Sequence, residues 1–143
     1  MQIAQNKIEE LRSLLSTPQS IIILSHTNPD GDAIGSSLAW SEILRSLGHN
    51  VTCIIPNRYP YYLEFMPGIE NMLIYKSDGD KVEQAVRGAD VIFCLDFHTM
   101  TRLEGLGSVI STNTKARKVL IDHHLDPVED FDLMISYPEA SST

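Results

Sequence analysis

Short apolar runs alternate with polar segments along this chain, and each run has the length of a strand. The runs cover residues 21–24, 51–55, 72–75, 91–95 and 118–121, and residues 133–137 form a possible sixth. Short continuous runs bounded by turn residues are typical of strands that are buried on both faces of a parallel sheet. The pattern therefore predicts about five buried strands.

Stretches with apolar residues at helical spacing lie between most of these runs: 3–16, 33–47, 80–87 and, less regularly because of two glycines, 101–111. Asp80 and Glu83 resemble a capping box that opens the third helix. The aromatic-rich segment 59–66 is expected to be a short helix or docked loop. Its tyrosines, Tyr59, Tyr61 and Tyr62, are expected to pack against the helices, with stacking against a base as the alternative. Alternating strands and helices predict an α/β fold in three layers, with a mostly parallel β-sheet and helices on both faces.

Composition places the chain among ordinary globular domains. It has 143 residues, of which 43% are apolar and 21% are charged. No apolar run approaches the roughly 20 residues that a membrane span needs, and the first residues lack the pattern of a signal peptide. Cys53 and Cys94 lie inside apolar runs, which favours buried free thiols in a reducing, cytoplasmic setting over a disulfide. His49, which follows a helix stop, is expected at the surface.

The net charge of −8 limits the possible partners. Such a charge argues against a broad basic surface, and so against long duplex DNA as a ligand. It does not exclude nucleotide chemistry, because carboxylates that bind metal ions contribute to the −8 and bound cations would offset part of it.

Three of the apolar runs end in carboxylates and imidazoles. These residues are His26, Asp30 and Asp32 after the first run, Asp96 after the fourth, and Asp122, His123 and His124 at the fifth. Chemistry in open α/β sheets collects beyond the carboxyl ends of the strands. A local turn with a helix N-cap remains an alternative for Asp30, and a hydrogen-bonded core position remains one for the histidines.

Oxygen and nitrogen donors without thiolates suit Mn²⁺ or a similar divalent ion better than a structural zinc site. The candidates are too many for a single ion. Two ions that share a carboxylate form the arrangement used in phosphoryl hydrolysis. The residues by themselves therefore indicate a two-metal phosphoryl hydrolase.

The three motifs resemble those of the DHH phosphoesterase superfamily, which includes RecJ-like enzymes. The segment 25–36 is similar to the first motif, Asp96 to the second, and Asp122-His123-His124 to the third. Asp96 followed by Thr101-Arg102-Leu103 resembles the branch of oligoribonucleases and phosphoadenosine-phosphate phosphatases. The resemblance extends over nearly the whole chain from Ile21 onward.

The resemblance implies a metal-binding role for each matching residue. His26 and Asp30 would hold one Mn²⁺, Asp32 and His123 would hold the second, and Asp96 would bridge the two ions. Mg²⁺ or Co²⁺ are possible substitutes for Mn²⁺.

The resemblance also implies residues that act on the substrate. His124 would contact the scissile phosphate or orient the attacking water, with Asp122 supporting it and Asp96 as the third catalytic residue. Candidates for substrate binding are Arg102, Ser36 at the start of a helix whose amides can hold phosphate, and His98. Arg58 and Lys76 are further candidate phosphate contacts, with a solvated surface position as the alternative for each.

The implied activity is Mn²⁺-dependent hydrolysis of short oligoribonucleotides or small nucleotides, such as 3′-phosphoadenosine-5′-phosphate or a cyclic dinucleotide, by a two-metal mechanism. The alternatives are an inorganic pyrophosphatase, a single-strand DNA exonuclease, and a non-catalytic module that senses nucleotides or metals. Residues 1–143 would be the N-terminal part of the catalytic domain. A fourth motif, a C-terminal substrate-binding domain and a homodimer are expected of the intact protein.

Overall fold

A computed structural model describes residues 2–97, 99–124 and 131–143. His98, a predicted substrate contact, lies outside the described residues. The helices are α1 (Gln5–Leu14), α2 (Gly31–Ser46), α3 (Tyr75–Arg87) and α4 (Gly105–Ser111). The strands are β1 (Ser20–Leu24), β2 (Asn50–Ile55), β3 (Leu73–Ile74), β4 (Val91–Leu95), β5 (Arg117–Asp122) and β6 (Leu133–Ser136).

The strands form one parallel sheet with helices on both faces. Their order is β3-β2-β1-β4-β5-β6, and every neighbouring pair is parallel. One core layer joins the sheet to α1 and α2, and the other joins it to α3 and α4. The predicted three-layer α/β fold is confirmed, and the possible sixth run forms the edge strand β6.

The strand order places a crevice between β1 and β4. From β1 the chain moves outward to β2 and β3, and then it crosses to the other side of β1 to form β4. Such a reversal separates the loops that follow the two central strands, and ligands in open α/β sheets bind at this point. The residues after β1 and β4 therefore face a common crevice.

Helix α3 begins earlier than the sequence pattern predicts. It starts at Tyr75, and the non-helical backbone of Asp78 (φ −113°, ψ 31°) interrupts its first turns. The side chain of Asp78 accepts a hydrogen bond of 3.0 Å from the amide of Ile74, where the short edge strand ends. The prediction of a capping box at Asp80 was wrong, since this carboxylate lies inside the helix.

The weak helical stretch 101–111 is two elements. A 3₁₀ helix covers Met100–Leu103, Glu104 adopts a left-handed backbone (φ 51°), and α4 follows. A Cβ atom on Gly107 would lie 3.1 Å from the carbonyl oxygen of Met100. The glycine therefore permits the close packing of α4 on the 3₁₀ helix.

Two expectations about side-chain exposure were wrong. For the tyrosines the expectation holds only for Tyr59, which is buried in the core layer beside α1 and α2, whereas Tyr61 and Tyr62 are 81% and 63% exposed. His49 is only 6% exposed, because a turn back from Leu44 brings its ring to the start of β1, where Nδ1 accepts a hydrogen bond from the amide of Gln19.

The two cysteines are buried free thiols, as predicted. Cys53 belongs to the core layer on one face of the sheet, and Cys94 belongs to the layer on the other face. The sheet itself separates them, so they cannot form a disulfide with each other. Within the described part of the chain, no helix is long and apolar enough to cross a membrane.

Candidate metal centre

His26 and Asp96 meet because β1 and β4 are paired in register. Leu24 is aligned with Cys94, and each of the two candidate ligands lies two residues further along its strand direction. Nε2 of His26 lies 3.8 Å from Oδ2 of Asp96, and both side chains are buried. Asp96 has a left-handed backbone (φ 64°), and its amide donates a hydrogen bond to the carbonyl of Ile121. Strained backbone of this kind is concentrated at functional sites.

The first group of possible metal ligands consists of His26, Asp30 and Asp96. One ligand atom from each lies within 4.8 Å of the others. Asp30 is also the N-cap of α2, since its Oδ1 accepts a hydrogen bond of 2.9 Å from the amide of Ala33. Asp30 is therefore both the N-cap of α2 and a neighbour of His26, because the capping hydrogen bond holds its carboxylate beside the imidazole.

A second group consists of Asp96, His123 and His124, whose ligand atoms also lie within 4.8 Å of one another. Nε2 of His123 lies 3.2 Å from Oδ1 of Asp96 and 3.3 Å from Oδ2 of Asp32. Asp96 belongs to both groups and presents one oxygen toward each. The structure thus creates two adjacent clusters of oxygen and nitrogen donors that share one carboxylate.

Backbone carbonyls fix the protonation of two of these imidazoles. Nδ1 of His26 lies 2.8 Å from the carbonyl of Thr27, and Nδ1 of His123 lies 3.2 Å from that of Ala140. A carbonyl oxygen can only accept, so each Nδ1 carries the proton. When the ring is neutral, Nε2 presents its lone pair toward the cluster, as metal-binding histidines require.

His124 is held by a carboxylate instead. Its Nδ1 lies 2.6 Å from Oδ1 of Asp122, which is buried at the end of β5. The His123 and His124 rings lie with centroids 4.9 Å apart. The Asp122 carboxylate thereby orients the second imidazole beside the first.

Charge in the cluster shifts the pKa values of three residues. The nearby carboxylate of Asp96 raises the pKa of His26 despite the opposing effect of burial. Burial, reinforced by the negative charge of Asp96, raises the pKa of Asp32. Burial alone would raise the pKa of Asp96, but the nearby imidazole of His26 and the hydrogen bond from the Thr143 hydroxyl lower it. Crowded carboxylates of this kind are stabilised by a bound cation.

Residues 20–143 match the DHH family, N-terminal domain. The chain belongs to this family. The predicted resemblance to DHH proteins is therefore confirmed at the level of the family.

This DHH domain is similar to two curated relatives and to one solved structure. The chain is 35% identical over 107 residues to the bifunctional oligoribonuclease and PAP phosphatase NrnA of Thermus thermophilus, covering 73% of this chain and 28% of the relative. It is 28% identical over 102 residues to a probable manganese-dependent inorganic pyrophosphatase of Streptococcus mutans, covering 59% of this chain and 33% of that protein.

The solved structure is an exopolyphosphatase-related protein from Bacteroides fragilis, with a TM-score of 0.94 and 38% identity. The similarity covers 98% of this chain and 41% of that one. The DHH domain described here therefore spans less than half the length of each of these relatives.

Of the predicted substrate contacts, Arg102 lies beside the centre. It lines a cavity of about 410 Å³ together with His26 and Asp30, and its positive charge opposes protonation of His26. Ser36 is placed differently, because its hydroxyl donates a hydrogen bond of 2.6 Å to the carbonyl of Asp32 within α2. The roles of both residues stay predictions.

Sequence reasoning missed the contribution of the segment after β6. The Thr143 amide donates to both carboxylate oxygens of Asp32, at 3.0 and 2.9 Å, and its hydroxyl donates to Asp96 at 2.9 Å. Ala140 supplies the carbonyl that orients His123. The only local signal was a short hydroxyl-rich stretch, which carries no information about its distant partners.

Proposed function

We propose that this DHH domain is the catalytic domain of a Mn²⁺-dependent phosphoesterase that acts on short oligoribonucleotides or small nucleotides. The observation that carries the proposal is the sharing of Asp96 by two donor clusters. A carboxylate between two groups of imidazole and carboxylate ligands is the arrangement that two-metal phosphoryl hydrolases use.

The donor chemistry fits a pair of divalent ions. His26, Asp30 and Asp96 would hold one ion, and Asp32, His123 and Asp96 would hold the other. Carboxylate and imidazole ligands without thiolates suit Mn²⁺, and Mg²⁺ or Co²⁺ are possible substitutes. When bound, the ions would activate water and neutralise charge that develops on the phosphoryl oxygens.

The side chains around the ions would position the substrate. Asp122 accepts a hydrogen bond from Nδ1–H of His124, so Nε2 of this ring can orient the attacking water or contact the scissile phosphate. Arg102 lines the adjoining cavity with His26, where a guanidinium can bind phosphate oxygens. Ser36 and His98 are further proposed substrate contacts.

The net negative charge of the chain favours short substrates over long polyanions. The chain carries only 11 Lys and Arg residues against 19 Asp and Glu residues. Long polyanions gain affinity mainly through many cationic contacts, which such a surface offers sparsely. The Thermus relative carries the names oligoribonuclease and PAP phosphatase, which supports a short RNA or a nucleotide bisphosphate as the substrate and argues against long duplex DNA.

Inorganic pyrophosphate is the second candidate substrate, because the Streptococcus relative carries the name of a manganese-dependent pyrophosphatase. Single-strand DNA exonuclease activity is a third candidate, and a non-catalytic sensing role is a fourth. The sensing role is disfavoured because His26, Asp30, Asp32, Asp96 and Asp122-His123-His124 are all present.

One assay distinguishes these functions. The intact protein, rather than the 143-residue domain alone, is incubated with Mn²⁺ and, separately, with a five-nucleotide RNA, a long single-stranded RNA, 3′-phosphoadenosine-5′-phosphate, a single-stranded DNA and pyrophosphate, and kcat/KM is compared. We expect the short RNA or the bisphosphate to be the best substrate and EDTA to abolish turnover. Fastest hydrolysis of pyrophosphate would identify the second candidate, and no turnover of any substrate would support a sensing module.

We also propose a cytoplasmic location, which the two buried free thiols support, and a homodimer in the intact protein. Residues 1–143 would form the N-terminal part of the catalytic domain, with a further aspartate ligand and a substrate-binding domain elsewhere in the protein. Light scattering on the purified protein gives its mass in solution and tests the dimer.

A further inference from the structure

A second cavity adjoins the candidate metal centre. It also measures about 410 Å³, and it shares Thr27, Asn28 and Glu104 with the cavity that contains His26 and Arg102. Its outer part is lined by Asn57 and Lys76, among others. The two cavities are therefore adjacent, and together they are called the groove, which reaches from His26 and Asp30 to Lys76 near the start of α3.

Hydrogen bonds between separate loops hold the walls of this outer cavity. The amide of Asn28 donates to Oδ1 of Asn57 at 2.7 Å, and Nδ2 of Asn57 donates to Oδ1 of Asn28 at 2.8 Å. On the other side, the amide of Thr27 donates to the carbonyl of Arg102 at 2.7 Å. Asn28 and Glu104 both adopt left-handed backbones. Three loops are thus fixed relative to one another before any ligand binds, as a preorganised site requires.

The outer cavity is rich in hydrogen-bond donors. Asn28 and Asn57 carry amide groups that retain N–H bonds beyond those of their mutual pair, and Lys76 carries an ammonium group. The buried hydroxyl of Thr27 has no hydrogen-bond partner among the residues that the structure describes. Buried polar groups in the wall of a cavity normally find such a partner, in the chain, in water or in a ligand.

We infer that the outer cavity is a subsite for a second phosphate of the substrate, next to the phosphate that is hydrolysed. This inference rests on the proposed function. The second phosphate is either the remaining phosphate of a nucleoside bisphosphate or the next phosphodiester of a short oligonucleotide, and the two share the same chemistry.

The charges of the groove determine where this phosphate binds. Glu104 lines both cavities and repels anions at their junction, whereas Lys76 lines only the outer one. The five candidate metal-binding residues include three carboxylates, so a phosphate that is not bound to the metals needs a cation of its own. Lys76 provides this cation, and the two asparagines provide neutral donors around it.

The inference is tested by comparing substrates with and without a second phosphate. The kcat/KM for 3′-phosphoadenosine-5′-phosphate is divided by that for adenosine 3′-monophosphate, in the wild type and in Lys76→Met. Loss of a charge-assisted hydrogen bond should lower this ratio about tenfold or more. Lys81→Met removes an exposed charge from the same helix, outside the cavity, and should leave the ratio as it is in the wild type.

Calorimetric titration with the same two nucleotides gives a readout that does not depend on turnover. The wild type should bind the bisphosphate more tightly than the monophosphate, and Lys76→Met should lose that preference. An unchanged preference in Lys76→Met, or an equal loss in Lys81→Met, would overturn the subsite. If the wild type hydrolyses neither nucleotide, the proposed function fails for these compounds, and the binding ratio still decides the subsite.

Discussion

His26 and Asp96 face each other across the crevice between β1 and β4, with 3.8 Å between Nε2 and Oδ2. They are 70 positions apart in the sequence, yet the pairing of Leu24 with Cys94 aligns them. The second oxygen of Asp96 lies 3.2 Å from Nε2 of His123. One carboxylate at the reversal of strand order therefore joins the donors that follow three different strands, and this relationship is the basis of the first prediction.

Substitution of Asp96 should remove both metal ions, while substitution of Asp32 should remove mainly one. Asp96→Asn is the appropriate change, because asparagine tolerates the left-handed backbone at this position. Elemental analysis of Mn per chain measures the result, with Asp80→Asn, an exposed position on α3, as the matched control. An Asp96→Asn protein that still holds as much Mn²⁺ as the wild type would refute the bridging role.

Asp122→Asn should lower kcat while leaving the metal content unchanged. The carboxylate accepts a hydrogen bond of 2.6 Å from Nδ1–H of His124. An asparagine in its place can turn its NH₂ group toward the ring and favour the tautomer with the proton on Nε2. Supporting contacts of this kind are typically worth about 10- to 100-fold in activity. Steady-state kinetics at saturating Mn²⁺ tests the expectation, and wild-type kcat in Asp122→Asn would mean that His124 is oriented by other contacts.

Phe93→Ala should lower the free energy of unfolding by about 3–5 kcal/mol, because it leaves a cavity in the core. Phe93 is fully buried in β4. Its ring packs edge-to-face with the ring of Trp40, with 5.5 Å between the ring centroids. Phe65 is 78% exposed, and Phe65→Ala should change the same quantity by no more than about 0.5 kcal/mol. Urea denaturation followed by circular dichroism compares the two. Similar midpoints for the two variants would contradict the described core.

Asn113→Ala should destabilise the fold although it removes no apolar group. Its Nδ2 donates to the carbonyls of Val86 in the last turn of α3 and of Ala89 just after it, and its Oδ1 accepts from the amides of Lys115 and Ala116 before β5. Loss of these bonds leaves backbone groups without partners, at a cost of about 1–3 kcal/mol for each one that is buried.

Thermal unfolding measures the effect of Asn113→Ala, with the exposed Thr114→Ala as its control. Equal melting temperatures for the two variants would mean that water replaces the lost bonds of Asn113.

Cys94 should be unreactive toward thiol reagents in the native protein. Burial raises its pKa to about 12, and burial also raises the pKa of Cys53. The reactive thiolate is therefore scarce at pH 8, and a coloured disulfide reagent should titrate both thiols only after addition of denaturant. Rapid labelling of either thiol in the native state would contradict its burial.

The raised pKa of Cys94 also sets the sign of a pH effect on stability. The thiol ionises near pH 9 in the unfolded chain and near pH 12 in the folded protein. The contribution of this difference to the free energy of unfolding is therefore complete below pH 9. It is lost as pH rises through the interval between the two values. The free energy of unfolding of Cys94→Ala should accordingly fall less steeply with pH in this interval than that of the wild type.

Local sequence patterns were sufficient for most of the secondary structure. The run 91–95 coincides with β4, and 21–24 lies within β1, because short β-branched and aliphatic runs strongly favour a buried strand. The predicted start of α3 was wrong, because the helix begins at Tyr75, where Asp78 accepts a hydrogen bond from the amide of Ile74, and not at the apparent capping box at Asp80.

The sequence by itself determined which residue types follow the strands, and their chemistry pointed to metal-dependent hydrolysis. Only the tertiary structure decided that β1 and β4 are neighbours, that one oxygen of Asp96 faces each cluster, and that Asn28 pairs with Asn57 in the wall of the outer cavity. It also brought Thr143 to Asp32, 111 positions away. These relationships depend on strand order and chain crossovers, which arise from the packing of the whole core and leave no trace in any local stretch of residues.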